Sequence, residues 1–305
     1  MYGVIDIGSN TIRLVVYQVA DGRIRPMLNK KYIVGLAGYV DQQNRLTKTG
    51  IYRAVAALQE LRTIVENIQI DALYVFATAS LRNICNTDQA LCIIRKETGY
   101  DVQVITGKDE ALYDYYGALH ALPLETGLLV DIGGGSTELV CFRGGTIECA
   151  KSLPFGSLNL HMRCVKDILP EKKERTEIRR AVLAQLDEVD LPAPTPGGVL
   201  CCVGGTARAA YKLIDDRYDD SIIAGQYEVK YLKKYLHFFE KHRRECTRQL
   251  LEIVPERIHT VIPGMIALKT IAEAYGCTQL LTSSNGVREG YLLHILQERG
   301  ELHAD

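Results

Sequence analysis

The sequence predicts a two-lobed α/β protein in which one lobe duplicates the other, with a central cleft. The prediction rests on a repeated phrase, on the strand and helix patterns that follow each copy, and on chain length. The first copy is Val4-Ile-Asp-Ile-Gly-Ser-Asn-Thr-Ile-Arg-Leu-Val15, and the second is Val130-Asp-Ile-Gly-Gly-Gly-Ser-Thr-Glu-Leu-Val140. Superposing Asp6 on Asp131 aligns them without a gap. Each copy reads as an apolar strand ending in Asp, a Gly-containing turn and a second strand. A hairpin turn of this kind leaves backbone N–H groups to face an anion, and two facing copies imply a phosphate held between them. At 305 residues the chain is long enough for two hydrophobic cores.

In the first half, Tyr2–Asp6, Ile12–Val19 and Ile24–Tyr32 read as a meander, with Asp21-Gly22 as a turn signal. Leu46–Ile68 has a Thr47 start signal, and Ile51, Val55, Leu58, Leu61, Ile64 and Val65 fall at helical spacing. Ala72–Ala77 is a short buried strand, and Thr87–Thr98 a helix closed by Gly99. Val102–Ile105 is the next strand, and Lys108–Leu122 a helix stopped by Pro123. This β-β-β-α-β-α-β-α order resembles one lobe of the actin-like ATPase (ASKHA, ribonuclease H-like) fold.

The second half restarts with a meander over Gly127–Leu153. Lys172–Val189 is an amphipathic helix with Ile178, Val182, Leu186 and Val189 on one face. Leu191–Gly198 carries three prolines and two glycines and reads as a loop. Val199–Val203 is a buried strand leading into Gly204-Gly205-Thr206 and a helix. Glu228–Arg244 and Pro263–Tyr275 read as helices, Leu280–Thr282 as the last strand, and a final helix runs from the Ser284-Asn285 region to about Glu298. The lobes are therefore expected at 1–125 and 126–305, the boundary falling near Leu124–Thr126. The last helix, about 285–303, is a candidate to join the first lobe.

Apolar residues make up 47% of the chain and charged residues 24%, as in ordinary globular proteins. A formal net charge of -1 argues against broad attraction to DNA or an anionic membrane. The nine cysteines form no Cys-x-x-Cys and read as reduced thiols. The N-terminus runs directly into a strand without a secretory leader, so a soluble cytoplasmic protein is expected.

The second copy carries the strongest chemistry. Three glycines in Asp131-Ile-Gly133-Gly134-Gly135-Ser136-Thr-Glu138 permit close approach of an anion. Asp131 and Glu138 flank the turn, and one or two carboxylates beside a phosphate suit Mg2+, which keeps several waters. A tight hairpin with solvated carboxylates is the plain alternative. In the first copy Gly8, Ser9 and Asn10 offer donors to a second phosphate, while Arg13 stands where Glu138 stands. Asp6, the equivalent of Asp131, is counted with Asp131 and Glu138 as a candidate metal ligand. Gly204, Gly205 and Thr206 open a helix, whose N-terminus attracts phosphate. Arg82, in Thr78-Ala-Ser-Leu-Arg82, can grip a phosphate or pair with a nearby carboxylate. Glu110 stands in the first turn of a helix, either for macrodipole reasons or to activate water.

Together these residues resemble the exopolyphosphatase/guanosine pentaphosphate phosphohydrolase (Ppx/GppA) family. The matching phrases are Ile5-Asp-Ile-Gly-Ser-Asn-Thr11, Ala77-Thr-Ala-Ser-Leu-Arg-Asn83, Val104-Ile-Thr-Gly-Lys-Asp-Glu-Ala111 and Val130–Leu139. Ser152-Leu-Pro-Phe-Gly156, Val203-Gly-Gly-Thr206 and Val287-Arg-Glu-Gly290 extend the match over nearly the whole chain. The resemblance implies Mg2+-dependent hydrolysis of a terminal phosphoanhydride, with Mn2+ able to substitute. Glu110 would be the general base, Asp131 and Glu138 the metal ligands, and both turns with Arg82 the grip on the terminal phosphate. Short to medium polyphosphate is the favoured substrate. The alternatives are the 5′-phosphate of pppGpp, or a catalytically weak sensor of (p)ppGpp or polyphosphate. An ATP-using kinase or chaperone of the same fold is the remaining option. A homodimer is an allowed assembly.

The chain departs from the family pattern in two places and is short. The usual Glu-Glu-Ala-Arg is Asp109-Glu110-Ala111-Leu112, and a late Gly-Gly is Pro263-Gly264. It resembles the short, two-domain members, for which processive attack on long chains is not expected. The basic runs around Lys172–Arg180 and Lys241–Arg244 could guide a polyanion or be solvated helix faces. Of Tyr113, Tyr115 and Tyr116, some are expected in the core, with guanine stacking as the functional alternative.

Overall fold

The computed structural model describes residues 1–20, 23–192, 197–218 and 225–302. The Asp21-Gly22 turn signal and part of the Leu191–Gly198 loop lie outside the described residues. The chain packs as two compact units, Met1–Glu110 with Tyr291–Asp305, and Ala111–Gly290.

The first unit begins with the meander β1 (Tyr2–Ile7), β2 (Thr11–Ala20) and β3 (Arg23–Ile33). Helix α1 (Lys48–Glu66) follows, with the Thr47 hydroxyl accepting from the Gly50 N–H at its start. Strand β4 (Ala72–Ala77) leads into a single helical turn, α2 (Ala79–Arg82), which no periodicity announces. Helix α3 (Thr87–Thr98) ends on left-handed Gly99, φ 72°. Only Gln103–Val104 of the expected next strand is paired, as β5. The sheet order is β3-β2-β1-β4-β5, antiparallel within the meander and parallel from β1 to β5. Ile5, Ile7, Ile12, Leu14 and Val16 alternate onto one face and meet Ile51, Leu58 and Leu61 of α1 and Ile94 of α3. Each such leucine, fully buried, contributes about 1.5–3 kcal/mol.

Helix α4 (Gly107–Ala121) starts in the first unit and continues into the second, so packing divides within it, ahead of Leu124–Thr126. The second unit repeats the meander as β6 (Thr126–Ile132), β7 (Thr137–Arg143) and β8 (Thr146–Leu153). Helices α5 (Ser157–Cys164) and α6 (Lys172–Asp187) precede β9 (Val199–Val203) and α7 (Gly204–Tyr218). The short edge strand β10 (Gln226–Glu228), helices α8 (Val229–Lys241), α9 (Arg243–Ile253) and α10 (Val261–Ala274) and strand β11 (Gln279–Thr282) complete it, and the last helix, α11 (Val287–Glu298), starts in the second unit and from Tyr291 onward counts with the first. The sheet order β10-β11-β9-β6-β7-β8 contains the first unit's order, with β10 added at the edge. The actin-like, ribonuclease H-like topology is thus present twice.

Both faces of this second sheet are covered, which is why β6 and β9 read as apolar runs. Leu128, Val130, Leu200 and Cys202 face the helical core around α10, and Leu129, Cys201 and Val203 face Tyr115 and Ala118 of α4. Tyr115 is thus a core residue, its hydroxyl donating to the Gly145 carbonyl at 3.1 Å, whereas Tyr116 is exposed.

The expected helix Glu228–Arg244 is two helices, broken at His242. No breaker residue stands there. Arg243 donates to the Leu169 and Pro170 carbonyls at 2.7 and 3.1 Å, and it shares the Phe239 ring with Arg175. These two arginines of the basic runs therefore serve packing. No helix among the described residues is long and apolar enough to cross a membrane.

Candidate active site

In the first unit, the β1–β2 turn is closed by the Gly8 N–H donating to the Thr11 carbonyl at 2.9 Å. The Ser9 carbonyl accepts from Ala37 N–H, and the Asn10 carbonyl from Val34 and Gly35 N–H, at 2.9–3.0 Å. In a trans peptide unit the carbonyl of one residue and the N–H of the next point opposite ways. The Asn10 and Thr11 N–H groups are therefore turned away from the 34–37 segment. At the last rungs of the hairpin, Asp6 stands directly opposite Arg13.

Strand β4 ends beside β1, with Ile7 opposite Ala77, so the Thr78–Arg82 loop lies against the turn. The Ser80 hydroxyl donates to the Ile7 carbonyl and fixes that loop. Arg82 then reaches Glu110: its Nη1 donates to Glu110 Oε2 at 2.6 Å and to the Ile105 carbonyl at 3.2 Å. Both side chains are largely buried, at 17% and 10% exposure. The structure thus pairs the two residues that the sequence offered separately as phosphate grip and base. Asp109 has a different task. Thr106 Oγ1 accepts from the Asp109 N–H at 3.1 Å and donates to Asp109 Oδ2 at 2.7 Å, capping α4. With Asp109 held by the cap, Glu110 is the acid of this turn that points inward.

The second unit builds the same turn more tightly. Gly133 N–H donates to the Ser136 carbonyl at 3.0 Å, matching the Gly8 bond. The carbonyls of Gly133, Gly134 and Gly135 are all taken from the α5 side, by Ser157 N–H, by Leu158 and Asn159 N–H, and by Asn159 Nδ2. By the same peptide geometry, the N–H groups of Gly134, Gly135 and Ser136 are turned the other way, side by side. Asp131 and Glu138 face each other across the adjacent rung, on one side of the sheet. Glu138 is 1% exposed and accepts from the Ser152 hydroxyl at 2.7 Å. Strand β9 ends alongside, with Asp131 opposite Val203. Gly204 has φ 78°, and a Cβ there would lie 2.0 Å from Asp131 Oδ1. Thr206 donates to the Ile132 carbonyl at 2.7 Å, as Ser80 does to the matching Ile7.

Two carboxylates across one rung are a hard donor set of the kind Mg2+ accepts alongside water and phosphate. Among the described residues no group of three or more His, Cys, Asp or Glu side chains is arranged to hold a metal ion. Asp6 belongs to the first unit, where its rung partner is a cation.

Comparison with known proteins supplies the family. The Ppx/GppA phosphatase family matches residues 15–299. The chain belongs to the Ppx/GppA phosphatase family. Two Vibrio cholerae serotype O1 proteins named guanosine-5′-triphosphate,3′-diphosphate pyrophosphatase are 28% identical over 303 residues, 98% of this chain. The chain spans 60% of the length of these curated relatives. The crystal structure of the Aquifex aeolicus Ppx/GppA family member is 25% identical, with a TM-score of 0.78 over 99% of both chains. An exopolyphosphatase structure from Cytophaga hutchinsonii has a TM-score of 0.84 at 22% identity, over 97% of this chain and 98% of that one, and bears on the fold alone.

Several Ppx/GppA phrases now have physical reasons. In Ser152–Gly156, Ser152 holds Glu138 and the Phe155 carbonyl accepts from Thr137 at 2.7 Å. Gly156 lies so close to the turn that a Cβ would meet Gly134 C at 2.5 Å. In Val287–Gly290, the Glu289 carboxylate accepts from Gly286 N–H at 2.9 Å, and a Cβ on Gly290 would lie 1.8 Å from the Tyr113 carbonyl oxygen of α4. Pro263-Gly264 also makes sense. Gly264 is the residue that must lack a Cβ, which would lie 2.3 Å from Thr206 Cγ2, whereas Pro263 falls in the first turn of α10, where an N–H is dispensable.

The sequence did not announce Arg208 and Arg257. Arg257 Nη2 lies 1.9 Å from where a Gly205 Cβ would be, so the second glycine of Gly204-Gly205 admits a guanidinium. Burial holds the pKa of Arg257 below its ordinary value, opposed by Glu256 and Asp131. Burial, then Arg288, lowers Arg208 in the same way, while Asp131 and Glu289 oppose the shift. Arg208 was missed, and its place one turn after Gly204 is the local signal that points to it. Arg257, far off in sequence, was not.

Proposed function

We propose that this chain hydrolyses a terminal phosphoanhydride, releasing orthophosphate from short to medium polyphosphate. The observation that carries the reading is the Gly133–Ser136 turn, whose three aligned N–H groups adjoin the Asp131–Glu138 rung. Aligned N–H groups bind the non-bridging oxygens of a phosphoryl group, and the reaction needs positioning and charge neutralisation more than a covalent nucleophile. Asp131 and Glu138 would hold Mg2+, which when bound would neutralise charge building on the phosphate oxygens. Ser152 orients Glu138 for that task.

The roles divide by unit. In the first, Glu110 orients the attacking water and takes its proton, and Arg82 fixes the Glu110 carboxylate while adding positive charge. Gly8, Ser9 and Asn10 add donors for phosphate. In the second, Gly204, Gly205 and Thr206 present a helix N-terminus to an anion. A second reading, release of the 5′-phosphate of pppGpp, is favoured by the name and 28% identity of the Vibrio cholerae relatives. A sensor that binds without turnover has less support, because binding alone does not need the Arg82–Glu110 pair.

Phosphate release from short polyphosphate, long polyphosphate, pppGpp and ATP, measured side by side with and without Mg2+, tests the proposal. Glu110→Gln is expected to cut turnover by roughly 10²–10⁴-fold with substrate binding retained. Unchanged turnover in that variant would remove Glu110 as the base, and binding without release by the unaltered chain would establish the sensor.

A further inference from the structure

A second chemistry sits farther along the strand pair that carries Glu138 and Ser152, toward its other end. Cys141 of β7 and Cys149 of β8 are directly opposed in the antiparallel register, two rungs from the Leu139–Lys151 pair and next to the β-bulge that follows Cys141. Directly opposed residues in such a ladder have Cα atoms about 4.5 or 5.5 Å apart, depending on the rung type. Both spacings lie within the range of roughly 4.4–6.8 Å that a disulfide spans. Their side chains leave the sheet on the same face. All nine cysteines are free thiols.

We propose that Cys141 and Cys149 form a peroxide-reactive pair that closes to a cross-strand disulfide. The two thiols are unequal in a way that sets the order of events. Cys149 is partly exposed, whereas Cys141 is buried, and burial, then Cys149 and Glu148, pushes its pKa up to about 12. Cys149 therefore meets the oxidant first. Its thiolate attacks one oxygen of a hydroperoxide, the O–O bond breaks, and the pair becomes a sulfenic acid and a hydroxide, or an alkoxide from an organic peroxide. The Cys141 sulfur then attacks the Cys149 sulfur. The S–S bond forms as the S–O bond breaks, and the Cys141 proton leaves with the hydroxide as water. The sum is two thiols oxidised and one peroxide reduced.

The surroundings suit an oxidation site better than a metal site. Cys277 borders the same small cavity as Cys141, beside Tyr275, but it lies outside the β7–β8 ladder. Among the described residues no three-ligand metal group forms. Cys141 is three positions along β7 from Glu138 and projects from the opposite face of the sheet, so the proposal stands independently of the hydrolase reading.

The test is peptide mapping of the whole folded chain after hydrogen peroxide treatment, with remaining thiols alkylated before digestion. The expected result is one linked peptide pair joining Cys141 to Cys149, lighter by two hydrogens, absent in Cys149→Ser and in Cys141→Ala, and reversed by dithiothreitol. Cys277→Ser, which alters a neighbour but neither partner, is expected to keep the bridge. A bridge to Cys277 would overturn the assignment. So would Cys149 passing to sulfinic acid while Cys141 remains alkylatable in a chain whose circular dichroism shows it folded.

Discussion

Replacing Gly204 by alanine is the most direct probe of the second unit. The site is crowded in a particular way, because the added Cβ would fall 2.0 Å from Asp131 Oδ1. Non-bonded carbon and oxygen do not approach within about 3 Å, so the carboxylate or the start of α7 must move by about 1 Å. A displacement of that size at a reacting centre costs on the order of 10²-fold in rate. Gly204 also has φ 78°, and an alanine held in left-handed geometry costs about 1–2 kcal/mol. For a unit of this size that lowers Tm by roughly 2–8 °C. The assay is phosphate release from short polyphosphate across an Mg2+ titration, with thermal unfolding on the same preparation. Turnover should fall by about 100-fold while the chain stays folded at the assay temperature. Gly205→Ala is the control. Its Cβ would meet Arg257 Nη2 at 1.9 Å, the far end of a flexible side chain that can swing aside, so a smaller loss is expected. A folded Gly204→Ala with an unaltered rate and Mg2+ titration would refute the placement of Asp131 at the metal.

Three further changes test the supporting framework. Ser152→Ala removes the hydroxyl that donates to buried Glu138, and the Mg2+ concentration for half-maximal rate should rise by roughly 10–100-fold. Thr106→Ala opens the cap that holds Asp109 at the start of α4, and urea unfolding should show a loss of about 1 kcal/mol. Gly290→Ala drives a Cβ into the Tyr113 carbonyl oxygen, a backbone atom that cannot rotate away. The expected loss is about 1–3 kcal/mol, visible as a lower Tm, and an unchanged Tm would show that α11 shifts freely on α4.

The duplicated hairpins were legible in the sequence, because a period-two apolar run ending at an Asp and a glycine turn is local information. Their register followed: Asp6 opposite Arg13 and Asp131 opposite Glu138 are consequences of turn length alone. Helix α1 was readable for the same reason, with its cap and apolar stripe contiguous in the chain. Elements that tertiary contacts create were not. The break at His242 depends on Arg243 reaching the Leu169 and Pro170 carbonyls, and α5 takes its first N–H partners from the Gly133–Gly135 turn. Only the folded chain pairs Arg82 with Glu110, assigns Asp109 to a cap, and brings Arg257 beside Gly205. Side-chain chemistry names the candidates from sequence, but which charge neutralises which is set by distances across the fold. That is why Glu138 could be named from its place beside the glycine turn, while the Ser152 hydroxyl that holds it had to be seen.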